Sequence, residues 1–369
     1  MAQKTDFSIS RDCGYVMRGL AIVMIALHNF CHLIPHVAPE NEFRFFATRV
    51  ARFEVFRGDI TMHIFDILSF FGWYGVPVFM FLTGYGLVMK YERNKTPLKP
   101  GGFIGHNYLK LFFLMLPAVV VLVISFFTLD VHYGTLENVS PVLEAFLQLT
   151  MLPDLFVPWW SPQPGVFWYF GLTMEFYIIY AFFIHGKRSW WMWALVALSL
   201  GLQFITNPGT MDMEWIRHNA TGWMTVLAFG IIYGRTLQVD KRIIIATVAA
   251  SLLLFWPSML NSYSWQFSIL AAVVIIIAAA KVSMLIPGWR SFWIWIGRLS
   301  PYLFVAHPVT RSIAYTLLEP NGPSLKHLAF YAFITLVLAL ILRPVTQYCY
   351  HLFLTPHKKS AKVAAGISR

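Results

Sequence analysis

The sequence predicts an all-α integral membrane protein of about ten transmembrane helices enclosing a central polar cavity, with both termini cytoplasmic. Three observations predict it. Hydrophobic residues fill 58% of 369 positions and charged residues only 12%, half the share of about 25% usual in a soluble domain; the mean hydropathy is +0.62. Apolar runs near spanning length recur along the chain. The Lys and Arg between them fall on alternate sides, as the positive-inside rule requires.

The runs lie at 15–35, 70–90, 107–129, 166–185, 189–206, 220–238, 242–258, 264–281, 298–318 and 326–353. The first is expected to remain an uncleaved span, because no small-residue cleavage site follows it. With the N-terminus inside, the cytoplasmic loops hold Lys90, Arg93, Lys95 and Lys99, then Lys187 and Arg188, then Arg235, Lys241 and Arg242, then Lys281 and Arg290. Residues 1–356 form a single transmembrane domain, and 357–369 a basic cytoplasmic tail with Lys358, Lys359 and Lys362. The long loop after the third span carries Asp130, Glu137, Glu144 and Asp154 to the other side. The net charge of +11 thus follows from topology and implies no nucleic-acid partner. Cys13, Cys31 and Cys349 make no disulfide framework.

One loop breaks the charge pattern. "ENEFRFFATRVARFEVFRGD" puts Arg44, Arg49, Arg52 and Arg57 on the outer side. The expected element is an interfacial amphipathic helix whose arginines meet lipid phosphates; the competing reading is a docking surface for an anionic acceptor. Further on, "PVLEAFLQL" reads as a short surface helix. The Pro- and Trp-rich "PDLFVPWWSPQPG" after it cannot be a regular helix and suits a lid or the mouth of a cavity.

Ionisable groups inside spans are expensive and face protein or a wet cavity. "RGLAIVMIALHNFCHL" holds Arg18 near the inner end, and His28 ten residues on, about 15 Å along a helix axis. Arg18 alone is explained by snorkelling to cytoplasmic phosphates; His28, near the midplane, is not. His32 lies one turn beyond. In the second span Thr83, Gly84, Tyr85 and Gly86 interrupt an apolar run, where small residues admit close approach of a helix or a ligand. Glu175 lies about three turns below the outer surface. His307 sits mid-span before Pro308, with Arg311 one turn further on the same face. His28, Glu175 and His307 are expected to share one cavity.

Together these pieces resemble the membrane acyltransferase-3 family: "RGLAIVMIALHN" in the first span, "VPVFMFLTGYGL" in the second, "FWYFGLTMEFYIIY" in the fourth and "LSPYLFVAHPV" near the end. The resemblance implies transfer of an acyl group, acetyl being the expected one, from cytoplasmic acyl-CoA to a hydroxyl of an extracytoplasmic glycan or lipid-linked sugar, in the bacterial inner membrane. It implies no permanently bound cofactor, and the sequence has no clustered metal site, glycine-rich phosphate loop or serine-nucleophile elbow. His28, Arg18 and Glu175 are the catalytic candidates. Thr83, Gly84, Tyr85, Lys110, Tyr169, His307 and Arg311 are the candidates for binding substrate or acyl-CoA.

The chain departs from the family in two places. Nine residues separate Arg18 from His28 where the family has ten, and Asn29 takes the family's histidine position. At 100° per residue, His28 turns away from the family's face by about 80°; an overwound turn would restore it, Arg18 would reach round to it, or His32 would replace it. Before the third span, His106 and Lys110 stand where an arginine cluster is expected. A hydroxyl is a poor nucleophile, so acyl transfer calls for a general base. His28 suits that role, or that of an acyl-imidazole nucleophile. Arg18 would hold the donor's phosphate or carbonyl, and Glu175 would orient the imidazole. The alternative function is a transporter or flippase of a polar or anionic solute, with the same groups lining its path.

Overall fold

The computed structural model describes residues 4–54, 58–129, 140–156, 165–317 and 324–354. Arg57, Asp130, Glu137, the segment 157–164 of the Pro- and Trp-rich stretch and the basic tail lie outside the described residues.

A short strand β1 (Lys4–Asp6) leads into α1 (Arg11–Cys31), whose cap Ser10 accepts from the Cys13 N–H. Then come α2 (Ala47–Glu54) and α3 (Ile60–Phe71), and a 3₁₀ turn over Gly72–Gly75 that feeds α4 (Val76–Leu87). A π-helical turn, Val88–Arg93, closes α4. α5 (Pro100–Leu129), α6 (Pro141–Leu147) and α7 (Trp168–Ile179) follow, the last running into a second π turn, Tyr180–Ile184. α8 (Trp190–Ile205), α9 (Met211–His218) and α10 (Ala220–Arg235) precede β2 (Gln238–Asp240). β2 pairs antiparallel with β1. α11 (Lys241–Met259), α12 (Trp265–Ser283), α13 (Pro287–Leu317) and α14 (Leu325–Phe353) complete the described chain.

Among the described residues, seven helical segments are long and apolar enough to cross a membrane: Arg11–Cys31, Ile60–Arg93, Pro100–Leu129, Gly165–Ile184, Lys241–Met259, Ser262–Ser283 and Leu325–Phe353. The other three runs read from the sequence are helical as α8, α10 and α13. α8 is apolar but only 16 residues long, and α13 carries Arg, Ser and His among its apolar residues.

Two close crossings hold the centre. α1 packs on α13 more extensively than on any other helix, with Gly19 and Gly297 at the contact. A Cβ on Gly297 would collide with the Tyr15 carbonyl, and one on Gly19 with that of Trp293. α4 crosses α10 the same way, Gly84 lying on the Leu227 backbone and Gly230 on that of Phe81. In lipid, where apolar burial does not favour one helix neighbour over a lipid tail, such small-residue contacts carry much of the helix association. Pro301 in α13 leaves the Gly297 carbonyl without its helical donor, and the Ser300 hydroxyl donates to it at 2.9 Å.

Candidate active site

α1 brings two polar regions into one helix. Arg18, half-buried, lines a cavity of about 490 Å³ together with Lys90 from the π turn after α4 and Lys110 of α5. Thr83, Asn107, Tyr169 and Tyr350 also line this basic chamber. Three cations around one cavity suit a polyanion such as a phosphorylated donor.

Further along α1, His28, Asn29 and His32 line a second cavity, of about 240 Å³. His28 is 4% exposed. Its Nδ1 lies 2.7 Å from the Ser69 carbonyl oxygen, which only accepts, so Nδ1 carries the proton and Nε2 keeps the lone pair a base needs. His32 stacks on it with ring centroids 4.8 Å apart and places Nδ1 3.3 Å from the His28 carbonyl. Arg311 of α13 enters the same chamber, where its Nη1 donates to Asn29 Oδ1 at 3.2 Å.

The chain between α1 and α2 arches over this histidine chamber and contributes Glu40, Glu42 and Phe43 to its wall. The arch is latched by its backbone. Arg49 donates to the Glu40 carbonyl, Trp265 Nε1 to that of Asn41 at 3.0 Å, and Arg217 to that of Phe43 at 3.4 Å. The Ser69 hydroxyl donates to the Ala38 carbonyl at 2.8 Å. Burial and the neighbouring Glu40 carboxylate push the Glu42 carboxyl well above its usual value, and its Oε1 has no hydrogen-bond partner among the described residues. For Glu40, burial alone would raise the pKa; the imidazoles of His32 and His28, its own backbone and Arg49 outweigh that and hold it lower. His218 of α9 completes the wall, stacked on Phe43 at 3.7 Å. Burial brings its pKa down to about 4.

These positions correct several expectations. Two chambers replace the single shared cavity, and Tyr169 and Phe304 line both. α1 is α-helical throughout, so no overwound turn returns His28 to the face of Arg18; the two residues serve different chambers. Glu175 lines neither chamber. Its Oε2 accepts from the Ala220 N–H at 2.5 Å, where α10 starts and its first amides lack helical partners. The imidazole of His28 is instead oriented by a backbone carbonyl. Gly84 and Tyr85 also lie outside both walls: Gly84 sits at the helix crossing, and the Tyr85 hydroxyl exchanges hydrogen bonds with the Ile9 backbone at 3.0 and 3.1 Å. His307 is fully buried behind Phe304, edge-on at 5.5 Å, and lines neither chamber. Two of the loop arginines bond to protein groups: Arg44 pairs with Glu214 at 2.7 Å and Arg49 latches the arch. Arg52 is exposed.

Sequence reasoning missed Glu40, Glu42, His218 and the part played by Lys90. Their signal was weak, because acidic and basic residues in loops usually face solvent. Two carboxylates within three positions, close after a span bearing two histidines, are the one mark that points to them.

Glu175 has a second carboxyl beside it. Asp154, 2% exposed, packs on Gly171 of α7, and neither oxygen has a hydrogen-bond partner among the described residues. Burial and the Glu175 carboxylate push its pKa up to about 8, against about 3.9 unfolded. The folded chain therefore binds this proton more tightly than the unfolded chain does. Stability is full below about pH 4 and falls as pH rises toward 8. Asp154→Asn, neutral at every pH, is expected to raise the melting temperature by a few degrees at about pH 9 and much less at about pH 5, in thermal denaturation of the detergent-solubilised protein. An equal shift at both pH values would show that no proton is involved.

Long apolar helices around a cationic chamber and a histidine chamber mark an integral membrane protein. The family model described as an acyltransferase domain, that of the acyltransferase-3 family, matches residues 16–343. The chain belongs to that family and is a membrane acyltransferase. Comparison with curated proteins and with solved structures finds no match.

Proposed function

We propose that the chain moves an acyl group, acetyl in the first instance, from cytoplasmic acyl-CoA to a hydroxyl of a glycan or lipid-linked sugar on the far side of a bacterial inner membrane. The observation that carries this reading is the pair of chambers, one cationic and one bearing His28, sharing the walls formed by Tyr169 and Phe304. The donor's phosphates sit among Arg18, Lys90 and Lys110, with the thioester directed toward His28. The acceptor enters the histidine chamber, where Trp168 and Phe43 offer rings to a sugar face and Glu40, Glu42 and Arg311 offer hydrogen bonds to its hydroxyls.

His28 Nε2 takes the hydroxyl proton as the oxygen attacks the thioester carbonyl. The new C–O bond forms, the C–S bond breaks, and the leaving CoA thiolate takes the proton from the imidazolium. His28 is preferred to His32 because it lies one turn nearer the basic chamber. In this reading α8, α10 and α13 add three crossings to the seven, making about ten, and both termini lie on the cytoplasmic side with the Lys and Arg loops.

Purified protein in proteoliposomes, given labelled acetyl-CoA and a panel of glycans, tests the reading. The expected result is CoA release that depends on an acceptor, with label recovered in that acceptor. CoA release no faster than in empty liposomes, for every donor and hydroxyl compound offered, would overturn it. Solute uptake without CoA release would point to transport instead.

A further inference from the structure

The two chambers meet at a wall of rings. Tyr169 and Phe304 line both, with centroids 5.0 Å apart and planes inclined at 48°. Phe79 of α4 closes on each at 6.3 Å, and Phe170 packs edge-on to Phe304 at 5.4 Å. Phe304 is 6% exposed and backed by His307. Rings at these separations are in van der Waals contact, leaving no gap between one ring and the next. On the acyl-transfer reading, on which this inference rests, the acyl chain travels ahead of the thioester carbonyl. It must pass the ring wall and then share about 240 Å³ with the acceptor.

We propose that this aromatic septum measures the acyl chain, and that Phe304 is the specificity-determining residue that restricts transfer to short acyl groups. A two-carbon chain passes when one ring tilts. Each added methylene needs further room in a close-packed apolar slot, where one methylene changes kcat/KM by about 10- to 200-fold. Phe304 is the residue to cut: it touches Phe79, Tyr169 and Phe170 at once, and it projects from α13 into the slot without hydrogen-bonding to the reacting groups. Replacing its ring by a small side chain leaves an apolar recess between those three rings. That recess accepts a chain of a few carbons.

The test uses the full chain in proteoliposomes with acetyl-, butyryl- and hexanoyl-CoA, reading CoA release with a glycan acceptor or with water. Wild type is expected to prefer acetyl-CoA over hexanoyl-CoA by about 10²-fold or more. Phe304→Ala is expected to raise the hexanoyl-to-acetyl ratio of kcat/KM by about tenfold or more, and Phe304→Leu by less. Monodisperse elution establishes that each variant is folded, and Phe304→Leu stands in should the alanine variant aggregate. Wild type that uses hexanoyl-CoA as well as acetyl-CoA would overturn the inference, as would folded, active Phe304 variants with the wild-type ratio; both leave the acyl-transfer reading intact. Wild type that releases CoA from no donor removes that reading itself.

Discussion

His28→Ala is expected to lower acyl transfer by about 10²-fold or more while the protein still folds and elutes as the wild type does. The size is that of a lost general acid–base group. The fold should survive because the imidazole faces a chamber, and alanine keeps the Cβ and backbone on which Gly72 packs. One local cost is expected: the Ser69 carbonyl loses its 2.7 Å partner, an unsatisfied acceptor worth about 1–3 kcal/mol if water does not replace it. Thermal denaturation in detergent should therefore show a modest fall, far too small to explain the loss of turnover. His32→Ala is the internal control. It removes the stacked ring and a neighbour of Glu40, but not the base, and should cost much less. Loss of turnover in His32→Ala, with His28→Ala active and folded, would transfer the base to His32. Full activity in both variants would remove the two histidines of α1 from the mechanism.

Arg18→Ala is expected to raise the KM for acyl-CoA by about 10- to 100-fold with a smaller effect on kcat. A hydrogen bond to a charged group is worth about 1.5–3 kcal/mol, and each 1.4 kcal/mol is tenfold. Lys90 and Lys110 line the same chamber but are exposed, so alanine there should cost less, and the loss should shrink as salt is raised. Arg18 is half-buried beneath them and less screened. Initial rates against acyl-CoA concentration, at low and at high ionic strength, separate these effects. A fall in kcat at unchanged KM for Arg18→Ala would place that residue at the reacting thioester instead of at the phosphates.

The sequence revealed depth better than direction. Run lengths located most of the long helices but missed α3 and the first turns of α13, and the cost of burying charge singled out Arg18 and His28 in α1. Depth alone does not say which way a side chain points. Glu175 lies at a plausible depth for an active site, yet its carboxylate faces the first amide of α10, which only the tertiary arrangement brings near. Tyr85 looked like a ligand contact because it interrupts an apolar run, but its hydroxyl meets the backbone before α1, 76 residues away in sequence. The shortened spacing between Arg18 and His28 looked like a defect only while both were assigned to one cavity; a regular helix facing two chambers needs no repair. The arch was least legible, since its arginines read as lipid-facing and its carboxylates drew no reading, while the contacts of Arg49, Arg217 and Trp265 that shape it are tertiary.

Those contacts leave the arch unusually free to change. Arg49, Trp265 and Arg217 grip the carbonyls of Glu40, Asn41 and Phe43, and every residue type supplies a carbonyl. The frame therefore depends little on which side chains occupy positions 40 and 42, which face the chamber, whereas Phe43 is also held by its stack on His218. Substitution there changes what the chamber reads without loosening the loop that displays it. In this respect the arch resembles a recognition loop of an antibody, a fixed backbone with replaceable letters, and on the proposed acyl-transfer reading substitutions at positions 40 and 42 are expected to change acceptor choice while the cationic chamber and the ring wall stay as they are.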